Sequence, residues 1–338
     1  MRYYAGLDLH SNNTYLGILD AKGAKVSKAK VQNHIHLILS ALRPVQKSVA
    51  GVVVESTFNW YWLVDGLMEE NYKVHLANPA AIKQYEGLKH TNDYSDAFYL
   101  ADLLRLGLLK EGYIYPKKER AIRDLLRKRM MLVRHRTTHI LSFQSLYNRE
   151  KGCKFAGNDV KRLKEENIDT LFSDEYVSLS AKANISIIHF LSERIKELET
   201  AVLSFMQVLP EFEKLKTVSG VGNILALTIA LETGDIRRFP KVGNYASYCR
   251  CVSSQRLSNE KKKGENNRKN GNKYLGWAYV EAANFAKRYC PYAKRFYNRK
   301  LAKTNKIIAI KALAHKLARA SYFVIRDRVD YNPEKAFG

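Results

Sequence analysis

The chain has 338 residues, with 57 Lys and Arg against 33 Asp and Glu, and a formal net charge of +24. A surplus this large sets up a positive field that draws polyanions, so nucleic acid is the expected partner. With 46% apolar residues the composition excludes a disordered chain, and no apolar run reaches the roughly 20 residues that span a bilayer.

The start, Met1-Arg2-Tyr3-Tyr4, runs straight into a strand instead of a secretion signal, which points to a cytosolic protein without a membrane partner. Residues 3–9 and 14–20 are β-rich, Ala21-Lys22-Gly23-Ala24 is a turn, and residues 25–31 return as a third strand. A helix near 34–47 follows. Then come the strand Gly51-Val52-Val53-Val54-Glu55, a helix near 59–70, a short strand near 72–76 and Asn78-Pro79 opening a further helix. Three strands followed by alternating helix and strand predict a ribonuclease-H-like α/β domain over residues 1–112, with the first and fourth strands as neighbours.

Four carboxylates stand out against this background. Asp8 and Glu55 each sit at the end of an apolar strand, and Asp93 and Asp96 are three apart at a helix start, on one face. Two-metal phosphodiester chemistry needs several converging carboxylates, so this set is a candidate site for Mg²⁺ or Mn²⁺.

Residues 113–212 lose the strand signal and form a predicted helical, coiled-coil-like region. From Pro116 to Asn148 one face carries Arg123, Arg127 and Arg134 among other cations, and is expected to bind nucleic acid. A second helix repeats through Ile188, Leu191, Ile195, Leu198, Val202, Phe205 and Leu209, the spacing either of a dimer seam or of an ordinary bundle core. Between the two helices, residues 152–174 read as a polar connector.

Residues 213–338 form a predicted, mostly helical C-terminal domain. It opens with Ser219-Gly220-Val221-Gly222, whose backbone N–H groups at a helix start suit phosphate, as in a helix-hairpin-helix element. Residues 261–273, with Lys261, Lys262, Lys263 and Lys273, look flexible and able to fold onto nucleic acid. Residues 287–300, with Arg295 and Arg299, interleave cations and aromatics. Cys153, Cys249, Cys251 and Cys290 are too scattered for a disulfide framework, and Cys249-x-Cys251 has no second pair at zinc spacing.

Asp8, Glu55 and Thr91-Asn92-Asp93-Tyr94-Ser95-Asp96-Ala97 with Leu100-Ala101 resemble the DEDD, RuvC-like catalytic domain of insertion sequence 110 family transposases. Val218-Ser219-Gly220-Val221-Gly222, Phe239, Tyr245-Ala246-Ser247-Tyr248 and Lys269-Asn270-Gly271-Asn272-Lys273-Tyr274-Leu275 follow the order of that family's second domain. The resemblance implies a DNA recombinase guided by a bridge RNA that pairs with donor and target double-stranded DNA, working as a homo-oligomer in the prokaryotic cytosol or nucleoid. It also implies a serine that attacks the DNA phosphate and holds the strand covalently. The matching position is Ser258, with Ser254 as a second candidate and Arg256 and Lys261 to Lys263 placed to neutralise a pentavalent phosphate. Where the family carries Gly-Leu-x-Pro and Ser-Gly, this chain has Arg250-Cys251-Val252-Ser253 and Ser258-Asn259. Two other readings share the same composition. One is a hydrolytic junction nuclease that uses the acids alone; the other is a non-catalytic RNA-binding scaffold.

Overall fold

A computed structural model describes residues 1–79, 81–82, 92–204, 210–252, 256–264 and 270–338. The chain divides into two compact units, Met1–Lys117 and Lys118–Gly338. Among the described residues no helix is long and apolar enough to cross a membrane.

In the first unit β1 (Tyr3–Leu9), β2 (Asn13–Asp20), β3 (Lys25–Gln32), β4 (Val49–Glu55) and β5 (Val74–Ala77) form one sheet in the order β3-β2-β1-β4-β5. β1 is antiparallel to β2 and parallel to β4, and β4 is parallel to β5. This is the expected ribonuclease-H-like arrangement, with the first and fourth strands adjacent. Alternation along β1 fixes two faces. Ala5, Leu7 and Leu9 pack with α1 (Ile35–Leu42) and α2 (Tyr61–Glu69), so Gly6 and Asp8 face the other way, toward α3 (Asp93–Arg105). The helix expected after Asn78-Pro79 falls largely on residues outside those described.

Helix α3 lies almost on the strand backbone. An added Cβ at Gly6 would stand 1.9 Å from the Ala97 carbonyl oxygen, and one at Gly17 would stand 2.8 Å from the Phe98 ring. Asn92 caps the helix by accepting from the Ser95 N–H, while the Ser95 hydroxyl accepts from the Asn92 N–H. Asn92 and Ser95, not the two acids of the first turn, form this reciprocal cap.

The second unit is mostly helical. α4 (Lys117–Lys151) and α5 (Glu175–Leu203) enclose a small core of Ile140, Phe143, Leu146, Ile185 and Ile188. The segment between them, expected to be a polar connector, inserts Val160, Ile168 and Phe172 into that core. The repeat on α5 is spent within the chain: Ile188, Leu191, Ile195 and Val202 are buried, which is the bundle-core alternative rather than an open seam. Phe205 and Leu209 lie outside the described residues. A larger core joins Leu126 and Val202 to α6 (Pro210–Lys216), α7 (Asn223–Thr233), α8 (Val242–Tyr248), α9 (Lys273–Tyr289), α10 (Pro291–Leu301) and α11 (Lys306–Asp327).

Gly6→Ala is expected to destabilise the first unit by about 1–3 kcal/mol, the usual cost of forcing atoms into a packed contact. Thermal denaturation of the full chain followed by near-UV circular dichroism checks this, and an unchanged midpoint would mean that α3 does not lie this close.

Candidate active site

Strand ends and one helix start bring the acids together. Asp8 is buried near the end of β1, and the β1–β4 pairing carries Glu55 to the same end of the sheet. Burial and a hydrogen bond with Asp8 push the Glu55 carboxyl up to about 7. Asp96 is raised by burial and by the charges of Asp8 and Asp93. Like charges this close disfavour one another until a cation or a proton intervenes.

A fifth group belongs to the cluster that the sequence reading did not select. His10 Nε2 lies 3.0 Å from Asp8 Oδ2 and 3.7 Å from Asp93 Oδ1, and ligand atoms of Asp8, His10 and Asp93 lie within 4.8 Å of one another. The signal was present in the Asp8-Leu9-His10 spacing, since alternate residues at a strand end share a face. A buried and a half-buried acid with an imidazole beside them fit a divalent cation, whose charge would relieve the repulsion.

Among the cations expected on a nucleic-acid face, two are turned inward. Arg123 is only 7% exposed and Glu232, on α7, 2%. Arg123 Nε donates to Glu232 Oε2 at 3.0 Å, Arg127 Nη2 to the same oxygen at 2.8 Å, and Asn272 Nδ2 to it at 2.7 Å. Arg127 also stacks over Tyr274 at 4.3 Å. Burial alone would raise the Glu232 carboxyl, but the hydrogen bond from Arg127 and the charges of Arg123 and Arg127 hold it below its ordinary range. Arg123, buried, and Arg127, half-buried, are therefore ion-pair partners of Glu232, because a buried carboxylate without counter-charges would be far costlier. Arg134 is exposed as expected, as are Lys273, Arg295 and Arg299.

Ser258 ends β6 (Arg256–Ser258) and pairs with Lys261 of β7 (Lys261–Gly264) in a two-residue hairpin. Asn259 and Glu260 form its turn at φ 51° and 60°. Positive φ at both positions is what such turns require, and Asn tolerates it well. The backbone turn that the family's glycine would ease is thus made here by Asn259. Ser258, Lys261 and Lys263 are exposed, while for Arg256 and Lys262 only the strand backbone is described and Ser254 lies outside the described residues. The segment expected to be flexible thus holds a strand at 261–264. Its far end is fixed by Asn272, which caps α9 by accepting from the Tyr274 and Leu275 N–H groups.

Gly220, at φ 85°, would bring a Cβ within 2.1 Å of the Ala282 carbonyl oxygen, so it serves a close crossing with α9. Gly222 has open space around it and precedes α7 beside a cavity of about 830 Å³ that Arg129, Trp277 and Tyr289 help to line.

A mixed ribonuclease-H-like sheet with acids gathered at the ends of its first and fourth strands defines an α/β domain whose acidic cluster fits a divalent metal. Residues 5–149 match a DEDD-type IS110 family model described as "Transposase", and residues 212–298 match the "Transposase IS116/IS110/IS902 family". A Pseudomonas aeruginosa relative described as a "Probable family 20 transposase" is 24% identical over 289 residues, covering 81% of this chain and 82% of its own length. The chain belongs to the IS110 family of transposases and is a DNA transposase.

Because the acids repel one another, Asp96→Asn should raise the thermal midpoint of the metal-free protein. Adding Mg²⁺ or Mn²⁺ should raise the wild-type midpoint more than the variant's; equal shifts would place the cation elsewhere. Glu232→Ala, which strands Arg123 in the interior, should cost about 3–5 kcal/mol, read from urea unfolding. The Glu232 carboxyl is depressed in the folded state, so its contribution is present above the ordinary glutamate range and lost as pH falls through the lowered value. Glu232→Gln should remove that acid-dependent part of stability.

Proposed function

We propose that this transposase is an RNA-guided recombinase that breaks and rejoins donor and target DNA through a covalent serine intermediate. Asp8, Glu55, Asp93 and Asp96, with His10 beside them, would hold Mg²⁺ or Mn²⁺. Bound there, the metal would supply charge to offset the developing negative oxygens of phosphoryl transfer. Ser258 Oγ attacks the DNA phosphorus, forming a serine–phosphate ester and breaking one P–O bond. The serine proton is lost to solvent or a nearby base, and the departing sugar oxygen takes up a proton as a free hydroxyl. Attack by a hydroxyl of the exchanged strand then releases the serine, so the energy of the bond is conserved.

The observation that carries this reading is Ser258 itself, exposed at a tight turn and paired across the hairpin with Lys261. The three-part organisation, with the helical region between an acidic domain and a serine-bearing one, belongs to the same proposal. So does assembly into a homo-oligomer. A net charge of +24 supports a backbone-gripping protein that leaves sequence choice to a guide RNA. Arg134, Lys261, Lys263, Lys273, Arg295 and Arg299 are exposed cations suited to phosphate. Gly220 and Gly222 lead into α7 at the cavity that would receive it.

A suicide substrate that blocks rejoining should trap DNA on the protein, with the adduct mapped to Ser258 by mass spectrometry. Ser258→Ala should abolish both adduct and strand exchange while retaining nucleic-acid binding, since no charge is removed. Asp8→Asn should abolish cleavage. Cleavage that needs the acids yet yields no adduct would identify a hydrolytic nuclease instead.

A further inference from the structure

The edge strand β3 carries Lys25, Lys28 and Lys30, all exposed. Simple alternation would put Lys25 on the face opposite Lys28 and Lys30. An irregularity in the β2–β3 pairing changes this: Ile18 pairs with Ser27 but Leu19 with Lys25, leaving Val26 as the additional residue. The bulge turns Lys25 back to the face that holds the other two.

Each ammonium group rests near an aromatic ring of that face. Lys25 Nζ lies 4.8 Å from the centre of Phe98, Lys28 Nζ 5.0 Å from Tyr94 and Lys30 Nζ 5.1 Å from Tyr15. Tyr94 and Phe98 are four apart on α3 and so lie one turn from each other. Tyr15 meets both Tyr94 and His10 edge-on. The row leads to the acids: Lys30 pairs with Tyr15, and Tyr15 with Asp8, so Lys30 is two strand spacings, about 10 Å, from Asp8 on the same face. Among the described residues none of the three lysines forms an ion pair.

Lysines on an edge strand commonly prevent sheets from pairing edge to edge. Bulges guard edges too, but edge guarding does not require all three lysines on the face of the acids with a ring beneath each one.

We propose that Lys25, Lys28 and Lys30 bind the phosphate backbone of the DNA strand whose reacting bond lies at the acidic cluster. The proposal rests on the reading of that cluster as the catalytic site. DNA is the occupant because the row runs into the acids, and the strand that reaches them must be the one that is cut. Lysine is a flexible point charge that grips phosphate without reading bases, which suits a protein whose sequence choice is made elsewhere.

Lysine acetylation of the full-length protein, quantified by mass spectrometry, reads these three side chains directly. A short single-stranded DNA of mixed sequence should slow acetylation of Lys25, Lys28 and Lys30 several-fold. Lys47, exposed near the start of β4 at the far end of the sheet from Glu55, should be unaffected. Protection by an RNA of equal length but not by the DNA would assign the row to the guide and overturn the proposal. Protection by neither would leave only the edge-guarding role. Independently, the triple variant Lys25→Gln/Lys28→Gln/Lys30→Gln should reduce the slope of log affinity against log salt for the DNA by about 2, at roughly 0.7 per phosphate contact on a single strand. An unchanged slope would sink the idea. Neither readout involves cleavage, so loss of the lysine row and failure of the acids as a catalytic set are separable; Asp8→Asn tests the latter alone.

Discussion

The close crossing of α3 over β1 and β2 is the contact on which the acidic site depends. It is possible because Gly6 and Gly17 present no side chain where the helix passes. With the helix axis held against the sheet, its first turn brings Asp93 and Asp96 over the end of β1, where Asp8 and His10 emerge. A thicker interface would lift the helical pair away from the strand pair, and the carboxylates would no longer share a field. The same crossing brings Tyr94 and Phe98 over to β3, so one packing decision sets both the acids and the aromatic rings under the lysines.

Placing these acids together costs folding energy. Glu55 and Asp96 are both shifted toward the protonated form, first by burial, then in Glu55 by the hydrogen bond with Asp8 and in both by neighbouring acids. An arrangement of this kind is not what a stabilising network looks like. The Glu232 cluster in the second unit is the contrasting case. There a buried carboxylate is met by two guanidinium groups and an amide, and the balance of forces favours the ionised form. Asn272 joins that cluster to the N-terminus of α9, so the start of α9 is tied to the interior of the second unit.

Much of this was legible in the sequence. Continuous apolar runs, Tyr3 to Leu7 and Gly51 to Val54, mark β1 and β4, and the acid that ends each run is visible as a break in the pattern. Strand and helix order then implies the neighbouring of β1 and β4, because three meander strands followed by a parallel crossover admit few topologies. Ser258 was located only by resemblance, and the hairpin that carries it was not expected. Its turn geometry, with Asn259 in the left-handed region, is a backbone property that residue types suggest but do not compel.

The sequence by itself determined which residues are acidic, which segments alternate and how much charge the chain must display. Only the tertiary structure decided where each charge goes. Arg123, Arg127 and Arg134 look alike along α4, yet the first two are drawn to Glu232, more than 100 positions away in sequence, while Arg134 stays in solvent. His10 and the β3 lysines gained their neighbours by strand register and a single bulge, which depend on how distant segments pair. The physical reason is common to all of them. Periodicity sets the face on which a side chain lies, whereas its electrostatic role depends on what another part of the chain places opposite.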